Sequence, residues 1–123
     1  MSTLSKQPPD KKVILAKTVL NAALQLDLKS AQFARILYVH HTAINRLKKN
    51  PVLDPASQQG ELALLFLRIY SVLYALTGGD MDWICHFINT SNGLTGGVPV
   101  EKIESSSGRV TVLQCADGIR SKI

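Results

Sequence analysis

With 123 residues, 46% of them apolar and 19% charged, the chain has the length of one domain or of two small modules sharing a core, and a composition that excludes disordered and fibrous classes. Its net charge of +5 is unevenly placed. Residues 1 to 60 carry nine Lys/Arg against three Asp, a net +6, while residues 61 to 123 carry five against six, a net −1, so a polyanion suits the first half and a different partner the second.

Residues 1–10, MSTLSKQPPD, are polar, hold Pro8 and Pro9 and lack the apolar run of a secretory signal. A disordered tail and a cytoplasmic location are expected. Asp10 can cap a first helix over about Lys11 to Gln25, in which Val13, Ala16, Val19, Leu20, Ala23 and Leu24 recur at spacings of three and four and form one buried face.

The stretch LKSAQFARILYVHHTAINRLKK, Leu28 to Lys49, places two short helices on either side of Tyr38-Val39-His40. A helix-turn-helix needs a small residue where its helices cross and apolar residues at fixed offsets from it. Ala34 is that small residue, and Phe33, Leu37, Val39, Ile44 and Leu47 take the inward positions. The second helix of the pair, about His41 to Lys49, then turns His41, Thr42, Asn45, Arg46 and Lys49 outward, led in by His40. Arg can read guanine, Asn adenine, and Thr a thymine methyl, which is chemistry for a major groove. Lys29, Ser30, Gln32, Lys48 and Lys49 suit phosphates, with the N-terminus of the first helix of the pair adding backbone donors. A plain helical hairpin with a polar outside shows similar spacing and stands as the alternative. His40 and His41 make a poor metal pair, because adjacent helical residues do not face each other and no carboxylate or Cys stands nearby.

Asn50 to Gly60, with Pro51 and Pro55, ends this module at about residue 60, and Asp54 or Ser57 can cap the next helix. Glu61 to Leu76 is a helix with apolar surface on nearly every side. At sixteen residues, with Arg68 in its middle, it falls short of a membrane span, so protein must cover it: neighbouring helices and a second copy of the chain. Gly78-Gly79 closes it and Asp80 opens a helix of about Met81 to Asn89, with Trp83, Ile84, Phe87 and Ile88 inward. TSNGLTGG, Thr90 to Gly97, is a loop; Pro99 starts a short helix to about Glu104, and Ser105 to Gly108 is a turn. Arg109 to Gln114 reads as a strand by propensity, but a strand without a pairing partner favours a final helix to about Gly118. The expected fold is all-α: a reading module over 11–60 and a partner-binding, dimerising module over 61–123.

Enzyme chemistry finds no footing. Cys85 and His86 are adjacent rather than facing, no Ser/His/Asp set or carboxylate pair holds a register, and TSNGLTGG lacks the Lys-Ser/Thr of a phosphate loop. Cys85 and Cys115, without CxxC spacing, read as small core groups. No cofactor is implied.

The segment from Leu53 to Val110, with its long apolar helix, Gly78-Gly79-Asp80, the Phe87-to-Asn stretch and Leu94-x-Gly96-Gly97-x-Pro99, resembles the Xre/MbcA/ParS antitoxin family, and the likeness extends over about Leu26 to Gly118. The family's usual Trp is Phe87 here, its turn Gly is Tyr38, and its Ser before the reading helix is His40. The resemblance implies an antitoxin that represses its own operon through the N-terminal module and holds a cognate toxin, commonly a RES-type enzyme that consumes NAD, through the C-terminal one. The candidate toxin contacts are Asn89, Asn92, Gly96 and Gly97 on the Gly-braced loop, where rigid polar groups lose little entropy on docking, and Arg120 and Lys122 in the tail, whose cations suit phosphate-binding or acidic groups of an NAD-consuming pocket, with a frayed, solvated tail as the alternative. A stand-alone regulator that uses its C-terminal half only to dimerise is the competing reading. In either case the partners are operator DNA and a second copy, not a membrane.

Overall fold

The computed structural model describes residues 10–91 and 97–121, with the side chains at 106, 107, 116 and 119–121 excepted; the tail expected over 1–10 lies, but for Asp10, outside the described residues. Within them the elements are all helices: α1 (Lys11–Gln25), α2 (Ser30–Leu37), α3 (His41–Lys49), α4 (Gln58–Thr77), α5 (Met81–Asn89), α6 (Pro99–Lys102) and α7 (Ser106–Ser121). The all-α class is therefore as the sequence reads.

Side-chain caps fix most of the starts. Asp10 Oδ1 accepts from the Lys12 amide at 2.9 Å, Ser57 Oγ from Gly60 at 3.0 Å, and Asp80 Oδ1 from Trp83 at 3.1 Å. Each satisfies a donor that the first helical turn leaves unpaired. Gly78 (φ 64°) ends α4 in the left-handed conformation that glycine adopts without a Cβ penalty.

α4 is the axis of the molecule, packed by α1, α2, α5 and α7. It starts three residues before Glu61, because Ser57 is the cap and Gln58-Gln59 continue the turn. At 20 residues it has the length and apolar composition of a membrane span, so shortness does not exclude one. Its place in the fold is that of a core element: Ala63, Phe66, Ile69, Val72 and Leu73 are buried, with Phe66 1% exposed and 6.2 Å from the ring of Phe33 on α2. The chain covers one side of α4 and leaves Leu64, Leu65 and Tyr74 between 37% and 48% exposed. Gly60, in the first turn, lies against the connector so closely that a Cβ there would stand 1.9 Å from the carbonyl oxygen of Asp54.

Several expected faces are rotated. On α1 the buried residues are Leu15, Ala16, Val19, Ala22 and Ala23, while Leu24 is 76% exposed. The run VILAKTVLNAAL supports two adjacent registers, and the one taken turns Ala16, Ala22 and Ala23 inward, small residues that let α1 approach its neighbours. On α5, Ile84 and Ile88 are buried, but Trp83, expected inward, is 43% exposed and Phe87 is only half-buried. The expected turn at Ser105 to Gly108 is instead the start of α7: Ser105 Oγ caps it by accepting from Gly108 at 3.0 Å. The strand propensity of Arg109 to Gln114 yields to packing, since α7 lies on α4 and α6 with Val112 fully buried. Arg109 sits in the same layer at 6% exposure with its Nε unpartnered, and burial without a counter-charge lowers its pKa.

The buried residues of α1, α2, α3, α4, α5, α6 and α7 form a single cluster. The division drawn at residue 60 falls in the first turn of α4.

Candidate functional site

The turn between α2 and α3 is built from the backbone outward. Ala34 is 3% exposed at the crossing, and the Val39 amide donates to its carbonyl at 2.9 Å; Phe33, Leu37, Ile44 and Leu47 are buried and Val39 half-buried. All six inward residues named from the sequence thus meet as a helix-turn-helix requires. Tyr38 takes the left-handed conformation (φ 59°, ψ 47°) with its side chain 74% exposed, so the backbone of the turn is kept although the residue pays for it sterically. Tyr38→Gly is expected to raise stability by up to about 1 kcal/mol, or about 4 °C in Tm, read by thermal denaturation; a lower Tm would show that the Tyr side chain supplies more than its backbone costs.

His40 caps α3. Its Nδ1 lies 3.4 Å from the Thr42 amide and 3.1 Å from Thr42 Oγ1, so a ring nitrogen fills the place of a hydroxyl, and its ring lies 4.5 Å from that of His41. Among the described residues no group of three or more His, Cys, Asp or Glu could hold a metal ion. The Cys85 thiol donates to the Gln25 carbonyl at 3.3 Å, and burial, with Asp27 and Asp82 adding repulsion, pushes its pKa up, away from a reactive thiolate.

Beyond this cap, His41, Thr42, Asn45, Arg46, Lys48 and Lys49 are all exposed. The side chains of Asn45, Arg46 and Lys49 make no hydrogen bond or ion pair with the described residues, and so keep their donors free. The phosphate set is partly engaged within the protein. Gln32 Oε1 accepts from the Lys29 amide at 2.9 Å, closing the first turn of α2, and Lys48 Nζ donates to Ser30 Oγ at 3.0 Å. That contact brings the Lys48 ammonium to the N-terminus of α2, whose free amides and dipole favour an anion. Lys29 and Lys49 stand exposed on either side. The arrangement is a row of exposed hydrogen-bonding side chains flanked by cations.

Sequence reasoning missed the contact between this module and the rest. Arg35 Nε and Glu104 Oε1 pair at 2.8 Å, joining α2 to the α6–α7 turn, beside an open cleft of about 500 Å³ lined also by Tyr38, Val39 and His40. A separation of 69 residues leaves no local signal for such a pair.

The candidate toxin contacts are less well gathered. Asn89 is exposed, but its amide donates to the Cys85 carbonyl at 2.8 Å and completes the end of α5. Gly97 is half-buried beside Lys102. Asn92, Gly96 and Lys122 lie outside the described residues, as does the side chain of Arg120.

Comparison with known families gives a match over the same helices: the model of the antitoxin Xre-like helix-turn-helix domain fits residues 7–68, from before α1 to the middle of α4. No curated protein matches the chain.

Proposed function

We propose, from the premise that this chain belongs to the antitoxin Xre-like helix-turn-helix family, that it neutralises a cognate toxin and represses the operon encoding both. Membership makes it a helix-turn-helix protein of antitoxin or DNA-binding regulator type. The observation that carries the operator-binding part is the exposed row His41, Thr42, Asn45, Arg46 and Lys49 on α3, set on the packed crossing of α2 and α3 in a half of charge +6. In this reading Arg46 and Asn45 contact base edges, while Lys29, Ser30, Gln32, Lys48 and Lys49 position the backbone, with His40, His41 and Thr42 opening the helix toward the groove.

An operator with two half-sites calls for a two-fold dimer. The groove between α1 and α4, where Ile14, Leu64 and Leu67 line an apolar hollow and Tyr70 and Tyr74 continue it, is the surface we assign to the second copy. The toxin falls to residues 61–123, a neutral half whose Gly-Gly-Asp turn and Pro99 helix carry the resemblance to the MbcA/ParS type, and a RES-type NAD-consuming enzyme is the toxin that resemblance implies. A cytoplasmic location, no catalysis of its own and no cofactor go with this reading.

The test is a titration of the upstream promoter. Arg46→Ala is expected to cost about 1 to 3 kcal/mol on the specific site, and Lys49→Ala to weaken all sequences alike while flattening the salt slope by about one unit. Equal losses for Arg46→Ala on specific and random DNA would remove the base-reading role. The second reading, a regulator without a toxin, draws on the family match ending at residue 68, short of α5, α6 and α7. A toxin reading frame beside the gene, and rescue of its toxicity on co-expression, decide between the two.

A further inference from the structure

The geometry points to Trp83, stacked on Phe87, as the anchor that receives a cationic side chain of the protein partner of the C-terminal half; this rests on the antitoxin reading and names the partner's contact chemistry. The two rings lie 5.3 Å apart at 6°, nearly parallel, so one face of the indole is covered by Phe87 while Trp83 as a whole stays 43% exposed. Large aromatic rings left at a surface in a fixed rotamer lose little entropy on docking, and Trp is over-represented among residues that dominate interfaces.

The surrounding charge selects the occupant. Between Gly78 and Gly97 the chain carries Asp80 and Asp82 and no Lys or Arg. Asp80 caps α5 on the amide of Trp83 itself, and Asp82 is its exposed neighbour. A nucleic acid is repelled there. An Arg or Lys approaching the open indole face gains from the ring quadrupole within about 6 Å and from carboxylates next to it, and Arg adds planar stacking. The result is a cation laid on an aromatic pair with acids at its edge, a site for a basic knob on a folded protein.

Trp83 is the chain's single tryptophan, which makes the site directly observable. The full chain labelled with 5-fluorotryptophan gives one fluorine resonance, whatever tryptophans the partner holds. The probe is the toxin encoded beside the gene, in catalytically inactivated form. The resonance is expected to shift on saturation; Trp83→Ala to weaken binding about 30-fold, Trp83→Phe to restore much of it, and Asp82→Lys to weaken it about fivefold in a salt-dependent way. Circular dichroism checks that each variant folds, and the fluorine readout on the wild-type chain needs no variant. If the toxin binds while the resonance stays still and Trp83→Ala binds equally well, the anchor is overturned and the antitoxin reading stands. A resonance that shifts with the chain's own concentration and not with toxin overturns it in favour of a second copy. Failure of the wild-type chain to bind the toxin removes both.

Discussion

Phe66→Ala is expected to destabilise the protein by about 3 to 5 kcal/mol, a large part of the roughly 5 to 15 kcal/mol that holds most domains together, and to lower Tm by on the order of 15 °C. Phe66 is on α4, beyond the α2–α3 pair, but is 1% exposed and packs on Phe33, behind the turn that α2 and α3 share. Removing its ring leaves a cavity bounded by helices that also hold one another, so collapse around it is limited. Operator binding should therefore fail together with the fold, at one denaturant midpoint, although no DNA contact has been touched. Phe66→Leu, which keeps most of the volume, should cost about 1 kcal/mol. Chemical denaturation monitored by circular dichroism and by promoter binding checks both; a loss below about 1 kcal/mol for Phe66→Ala, or two separated transitions, would mean that the two halves do not depend on this contact.

Gly60→Ala is a test of sign. Gly60 is in the first turn of α4, where helix propensity alone makes alanine better by about 0.5 to 1 kcal/mol. Packing says the opposite. A Cβ would come within 1.9 Å of the Asp54 carbonyl oxygen and 2.8 Å of Pro55 Cα, backbone atoms that cannot rotate away. The connector must lift from the helix, and the expected cost is about 2 to 3 kcal/mol. Gly78→Ala supplies the comparison: its Cβ meets nothing within 4 Å, so only the left-handed conformation counts against it, at about 1 kcal/mol. Thermal denaturation of the two variants should rank Gly60→Ala as the worse; a more stable Gly60→Ala would mean that the connector yields at little cost.

How far the fold can be read from the chain depends on the range of the forces involved. The crossing of α2 and α3 is legible because Ala34, Phe33, Leu37, Ile44 and Leu47 obey a local periodicity, and local periodicity is a property of consecutive residues. The caps at Asp10, Ser57 and Asp80 are legible for the same reason. The start of α7 is not: Ser-Ser-Ser-Gly carries turn chemistry, and only the approach of the Lys102 backbone, where a Cβ on Gly108 would stand 2.2 Å from the carbonyl oxygen, explains a glycine inside a helix. Trp83 defies its expected place because hydrophobicity decides which residues favour burial, while the single helix face available on α5 goes to Ile84 and Ile88. The Arg35–Glu104 pair and the buried Arg109 depend wholly on tertiary placement. Of the candidate contacts for a toxin, Asn89 reads from the sequence as a free amide, yet the end of its own helix claims that donor.

Because Phe33 of the reader packs on Phe66 of the central helix, and the family match itself stops in the middle of that helix, the specificity of this protein cannot be exchanged by cutting at a linker. A chimera built to carry a new address would have to bring the first half of α4 with α1 to α3, and its remaining apolar face would have to fit the recipient's α5 and α7. The exposed outer residues of α3 can change without disturbing that packing, while the seam at Phe33 and Phe66 stays fixed.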